Sequence, residues 1–183
     1  TYSQTWGAGQ ELGLTITYDA LKLGFYGAER DATTPNASSG QLISDPFEGA
    51  WYVNYTMGPV SIGYTESYMD GGVTQALENA TASKTERTAG GLFTGEQMSI
   101  AFNVNDNMSI SYTTSDETYD TQDNAATATT DDDDITESVD ALQIAYSIGG
   151  MSVKAYNMEV TNPNQDDNAA DASITEIALG FAF

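Results

Sequence analysis

The sequence predicts an all-β fold, an antiparallel up-and-down sheet of about nine strands curled into a transmembrane β-barrel, on three observations. Nine segments alternate apolar and polar residues with period two. The connections between them alternate strictly between tight turns and long polar stretches. An aromatic residue stands on the apolar parity just before each tight turn.

The elements follow from the apolar parity in chain order. Leu12, Leu14, Ile16 and Tyr18 mark the first strand and Leu21, Leu23 and Phe25 the second. Trp51, Val53, Tyr55 and Met57 mark the third, and Val60, Ile62 and Tyr64 the fourth. Met98, Ile100, Phe102 and Val104 give the fifth, and Met108, Ile110 and Tyr112 the sixth. Leu142, Ile144, Tyr146 and Ile148 give the seventh, Met151, Val153 and Ala155 the eighth, and Ile177 to Phe183 the last. The opposite parity carries residues such as Thr15, Thr17, Asn54, Ser61, Ser99, Asn103, Ser111, Gln143 and Ser152. These are strands with one greasy and one polar side.

"YDALK", "TMGPVS", "VNDNMS" and "SIGGMS" hold the Gly, Asn, Asp or Pro that tight hairpin turns require. Between the hairpins come "ERDATTPNASSGQLISDP", "DGGVTQALENATASKTERTAGGLFTG", "SDETYDTQDNAATATTDDDDITES" and "TNPNQDDNAADAS", which read as long loops. In a meander, alternate connections share an end, so one end of the sheet is trimmed and the other carries acidic loops. The hairpins also repeat one plan, visible in "ITYDALKLGFY" and "IAYSIGGMSVKAY". A propeller blade would need four strands per repeat, and each unit supplies two.

A soluble sandwich would show the same alternation on one face. The aromatic residues favour the membrane. Tyr18, Tyr55, Phe102 and Tyr146 stand where an interfacial girdle would, with the ring at headgroup level. The alternative is that aromatic residues simply suit hairpin ends. No run reaches the roughly 18 apolar residues of a membrane helix, and no charged-then-apolar leader precedes Thr1, so any export leader is expected to have been removed.

Composition narrows the chemistry. The chain has 183 residues, with 27 Asp and Glu against 5 Lys and Arg, a formal charge of −22. Nothing in that balance can neutralise phosphates, so nucleic acid is not an expected partner and cations are. His and Cys are absent, which removes the commonest general base, the usual transition-metal ligands and any thiol nucleophile. The expectation is a protein without catalysis.

Ten of the 27 acids fall between positions 116 and 140, and the alternating segments elsewhere read as nearly uncharged on their apolar faces. Asp131, Asp132, Asp133 and Asp134 form an oxygen cluster of the kind that suits calcium, which takes six to eight oxygens. The spacing is not that of an EF-hand loop, and a solvated acidic loop is the competing reading. On the polar parity, Lys22, Arg30, Glu48, Lys154 and Glu176 are isolated charges among small polar residues.

The chain ends "TEIALGFAF", with Ile177, Leu179, Phe181 and Phe183 on one parity. With nine alternating strands and alternating loop lengths, this resembles the C-terminal part of general diffusion porins of the Gram-negative outer membrane, particularly the acidic, 16-stranded alphaproteobacterial type. In that family the last strand ends in Phe after alternating apolar residues, a signal read by the barrel assembly machinery, and the four residues match it. The resemblance implies a homotrimer in outer-membrane lipid, with long loops extracellular and short turns periplasmic. It implies a water-filled pore passing ions and small hydrophilic solutes, weakly cation-selective, with Lys22, Arg30 and Lys154 as wall charges. Glu176 is expected to pair with a basic residue on a neighbouring first strand outside this sequence. "TYSQTWGAGQ" is expected to be the tail of an external loop, with seven strands preceding the nine. The competing class is a barrel that anchors acidic loops for adhesion or receptor contacts, which would not conduct.

Overall fold

The computed structural model describes residues 6–32, 45–70, 92–120 and 134–182. It is all-β: one sheet of nine antiparallel strands whose spatial order is their order in the chain. The strands are β1 (Trp6–Tyr18), β2 (Leu21–Ala32), β3 (Phe47–Met57), β4 (Val60–Asp70), β5 (Leu92–Asn105), β6 (Met108–Asp120), β7 (Ile135–Ile148), β8 (Met151–Thr161) and β9 (Ala172–Phe181). Each pairs only with its sequence neighbours, and β1 and β9 are the two edges. No helix among the described residues is long and apolar enough to cross a membrane, which says nothing about crossing by strands.

The register places every expected apolar set on one face. Ile16 pairs with Leu23, Leu23 with Val53, Val53 with Tyr64 and Tyr64 with Met98. Further along, Ile110 pairs with Ile144, Ile144 with Ala155 and Ala155 with Ile177. Paired residues share a face, so the apolar face is continuous from β1 to β9. It is also bare: Leu12, Leu142, Ile177 and Leu179 are all more than half exposed. The buried side chains, Ala28, Tyr119, Ile135 and Gln165, lie against the polar face.

The tight turns are two residues long, and their backbones are suited to the sheet's twist. Asp19, Gly58 and Gly149, each first in its turn, have φ of 51°, 57° and 57°, the left-handed conformation that matches strand twist and that Gly adopts without penalty. The β5–β6 turn instead has a register irregularity between Asn103 and Asn105, with the Asn107 amide donating to Asn105 Oδ1 at 2.9 Å.

Strands run further than the alternating pattern indicated. β1 begins at Trp6, so much of the segment expected as a loop tail is paired strand, with an irregularity between Trp6 and Gly9. The expected loops are likewise shortened: β2 reaches Ala32, β5 starts at Leu92, β6 reaches Asp120 and β7 starts at Ile135. In these extensions both faces are largely polar, so the period-two signal disappears while backbone pairing continues. Several acids assigned to a loop are therefore on strands: Asp116, Glu117 and Asp120 on β6 and Glu137 on β7.

Candidate functional site

The site is the sheet itself, and its geometry begins at the turns. In each of the four turns the carbonyl of the second residue accepts a backbone N–H from the neighbouring hairpin or strand: Thr56 N to Ala20 O at 3.1 Å, Asn103 N to Pro59 O at 2.8 Å, Ser147 N to Asn107 O at 2.8 Å and Ala182 N to Gly150 O at 2.7 Å. Each hairpin is thereby docked one step short of its neighbour's own end. The rows of paired residues show the stagger. The first hairpin closes at Tyr18–Leu21, in one row with Tyr55 and Ile62, and the second closes two residues further along, at Met57–Val60. That row continues through Phe102 and Ile110, and β6 starts two residues beyond, at Met108. Met108 lies in the row of Tyr146 and Val153, and the fourth hairpin closes two residues further, at Ile148–Met151.

Two residues per hairpin is one residue per strand. With about 3.3 Å of rise against about 4.8 Å between strands, this tilts the strands by roughly 35° from the normal to the line of turns, the tilt of closed barrels. Tyr18, Tyr55, Phe102 and Tyr146, expected as a girdle, lie on the apolar face and descend the same staircase beside the turns.

The far boundary of the apolar face was missed in the sequence. Glu66, Glu96 and Asp116 pair across β4, β5 and β6, and Asp140 pairs with Glu159 across β7 and β8, all on the apolar face. The apolar faces therefore do carry charge, beginning at this row and continuing at Asp70 and Asp120, four residues further from the turns on the same face. Each acid stands six residues above a residue beside the turns: Glu66 above Val60, Glu96 above Phe102, Asp116 above Ile110, Asp140 above Tyr146 and Glu159 above Val153. The acid line steps down between β6 and β7 as the turns do, and it stands six residues from the turn on β4 and eight or nine on β5 to β8. Tracking the line needed the stagger, which is set by the turn-to-strand bonds and is invisible in one strand's sequence.

Carboxylates facing one another across strands repel, and neighbouring donors offset this. Trp51 Nε1 donates to Glu66 Oε2 at 2.8 Å and the Tyr64 hydroxyl to Glu66 Oε1 at 2.6 Å. The Tyr112 hydroxyl donates to Asp140 Oδ1 at 2.5 Å and the Ser138 hydroxyl to Asp116 Oδ1 at 2.5 Å. Trp51 and Tyr64 also pack together, with ring centroids 5.4 Å apart. A second aromatic tier thus borders the apolar face at the end away from the turns.

The register puts Lys22, Arg30, Glu48, Lys154 and Glu176 on the polar face, in two groups at opposite sides of the sheet. On β2 and β3, Lys22 Nζ lies 5.7 Å from the centre of the Tyr52 ring, and the Tyr26 hydroxyl donates to Glu48 Oε1 at 3.2 Å. The Tyr52 ring lies close against Gly24, where an added Cβ would stand 2.1 Å from Tyr52 Cε1. On β8 and β9, Lys154 pairs with Ala178, and the Tyr156 hydroxyl donates to Glu176 Oε2 at 3.2 Å. Glu176, expected to pair outside the chain, therefore has a partner on β8. Between the two groups the polar face carries small and hydroxyl-bearing residues together with Gln97, Gln143, Glu117 and Glu137.

Ile177, Leu179 and Phe181 stand on the apolar face of β9, 68, 62 and 60 % exposed. Phe183 and the acids Asp131, Asp132 and Asp133 lie outside the described residues, and Asp134 immediately precedes β7. Among the described residues no group of three or more acids is disposed to hold a metal ion.

The segment between β8 and β9, residues 162–171, is the other feature that sequence reading did not anticipate. It folds back across β7 to β6 on the polar face. Asn162 Nδ2 donates to the Thr136 carbonyl at 3.0 Å, the Asn164 amide to Glu137 Oε2, and Gln165 Nε2 to Glu117 Oε1 at 2.7 Å. Gln165 is only 2 % exposed. Asn162, Asn164 and Gln165 have φ of 49°, 62° and 51°, a left-handed run that Asn tolerates better than most residues. The Asn-rich stretch "TNPNQDDN" was the available signal.

Comparison with protein-family models, with curated proteins and with solved structures finds no match to this chain.

Proposed function

We propose that this chain belongs to an outer-membrane β-barrel porin, a water-filled channel for passive diffusion of ions and small hydrophilic solutes with a weak preference for cations. One observation carries the reading: a bare apolar band bounded by the turns on one side and by the acid line on the other, eight or nine residues tall on β5 to β8. From Ile148 to Asp140 the band spans eight residues, about 26 Å along the strand and roughly 22 Å after the tilt. That is close to the apolar belt of about 25 Å on outer-membrane barrels. A sandwich has no reason to hold its acids parallel to its turns.

The opposite face supports a wet interior, being lined by Ser, Thr, Asn, Gln, Gly and a few charges that cost little beside water. β1 and β9 run in the same direction, because eight reversals separate the two edges. Closure through antiparallel seams then takes an odd number of further strands, and seven would make sixteen. In this reading the long connections face outward from the cell, the tight turns face the periplasm, the last strand addresses the assembly machinery, and three barrels associate. The formal charge of −22 raises cation concentration at the mouth within a Debye length of about 8–10 Å.

The test is reconstitution of the native protein into planar bilayers. Wide ohmic channels are expected, with reversal potentials of cation sign that move toward zero as salt rises. Folded protein without conductance would overturn the porin reading in favour of an adhesive barrel, and full solubility without detergent would overturn the membrane itself.

A further inference from the structure

We propose that the apolar face carries a binding site for a membrane lipid whose headgroup bears an ammonium group, in an aromatic groove over β2 to β5 bordered by Glu66 and Glu96. The inference rests on the membrane part of the porin reading and goes beyond it, because an apolar band by itself has no preference among headgroups.

The groove begins with missing side chains. Gly49 stands on the apolar face of β3 between Phe47 and Trp51, two residues to either side, and it pairs with Gly27 on β2 and Tyr68 on β4. Two glycines side by side leave a gap in this face, and the rings around them stand as walls. The Phe47 ring leans over the gap, with Cζ 3.2 Å from where a Cβ on Gly49 would stand, and packs on Tyr68 with ring centroids 6.0 Å apart. On the side toward the turns the wall is one row of paired residues, Phe25, Trp51, Glu66 and Glu96. The cavity so formed measures about 550 Å³.

Its chemistry selects a cation. Aromatic faces attract an ammonium group through their quadrupoles, and here the rings adjoin two carboxylates that face each other across β4 and β5. Glu66 is held by Trp51 Nε1 and the Tyr64 hydroxyl, which fixes both the carboxylate and the indole. Glu96 is exposed and has no hydrogen bond among the described residues. The described cations, Lys22, Arg30 and Lys154, all lie on the opposite face, so no described residue of this face balances the pair. Facing carboxylates repel, and an ammonium group between them replaces that repulsion by attraction.

Its position selects a lipid over a soluble amine. Toward the turns from Glu66 and Glu96, on the same face, come Ile62, Met98 and Ile100, 48, 53 and 47 % exposed. A headgroup seated in the groove therefore lays its chains on bare apolar surface, and a soluble cation has no chains to lay there.

The experiment places the native protein in phosphatidylglycerol vesicles containing a small fraction of lipid with brominated acyl chains and reads the quenching of Trp51, whose share of the fluorescence is identified with Trp51→Phe. Brominated phosphatidylethanolamine should quench Trp51 as though enriched roughly three- to thirtyfold over brominated phosphatidylglycerol with the same chains. Glu96→Gln breaks no contact among the described residues and should remove most of that preference. Glu159→Gln removes the same charge from the same boundary on β8 and should leave the preference intact, which separates the groove from a general attraction to an acidic protein. Phe47→Leu with Tyr68→Leu removes two rings at constant charge and should lower the preference as Glu96→Gln does. Equal quenching by the two lipids, equal effects of Glu96→Gln and Glu159→Gln, or an undiminished preference without the two rings would each overturn the inference. Conductance recorded from the same vesicles keeps the two readings apart. A conducting protein that is quenched equally by both lipids refutes the lipid site alone, a lipid preference in protein that never conducts refutes the channel and leaves the site standing, and protein that stays in buffer refutes both.

Discussion

Ile100 tests the apolar band most directly. It sits on β5 between Ile62 and Tyr112, 47 % exposed, four residues from Glu96 and five from Asn105. Four residues along a strand tilted by roughly 35° place it about 11 Å from the acid line, the middle of a band roughly 22 Å tall. Ile100→Arg should therefore cost about 2–4 kcal/mol, the value for a cation at the midplane of a barrel's apolar belt, or roughly thirty- to several-hundred-fold in the folding equilibrium. Glu96→Arg, on the same face and strand but at the boundary, should cost no more than about 1 kcal/mol. It also removes a carboxylate facing both Glu66 and Asp116, so a net stabilisation is expected. Ser99→Arg, one residue from Ile100 but on the polar face, should stay within about 0.5 kcal/mol. The assay is reversible urea unfolding in phospholipid vesicles, followed by tryptophan fluorescence. Equal costs at Ile100 and Ser99 would refute the assignment of faces. Equal costs at Ile100 and Glu96 would refute a band of defined height.

Other outcomes follow from particular contacts. Gly24→Ala places a methyl group where the Tyr52 ring lies and should cost about 1–3 kcal/mol; Tyr52→Ala should remove most of that penalty, so a double-mutant cycle with coupling near zero would exclude the contact. Changing Asp131, Asp132, Asp133 and Asp134 to Asn should move the reversal potential toward zero with little change in open conductance, whereas a large fall in conductance would place these acids in the pore. Folded protein should migrate differently on detergent gels before and after boiling, and identical migration would count against a closed barrel.

Much of the architecture was legible because period-two alternation is a local signal. Tyr18, Ile16 and Leu14 reveal their shared face without reference to any partner, and "SIGGMS" announces a turn through backbone demands that few residues meet. The nine strands, their order and their sidedness followed from such signals. Where both faces are polar the signal fails, which is why β6 and β7 were expected to stop short of Asp120 and Ile135. Backbone pairing does not depend on which side chains are apolar, so strands continue where alternation ends.

By itself, the sequence determined the faces, the hairpins and the polarity of the two ends, because each depends on neighbours one to four residues apart. Only the tertiary structure decided the stagger, because it depends on bonds such as Thr56 to Ala20 and Ser147 to Asn107 that join different hairpins. From the stagger come the tilt and the step in the line of Glu66, Glu96, Asp116, Asp140 and Glu159, whose members lie as much as 93 positions apart in the chain. The segment between β8 and β9 is of the same kind: Gln165 meets Glu117 across 48 residues, a contact that neither residue's surroundings in the sequence could announce, since it exists only once β6, β7 and β8 lie side by side.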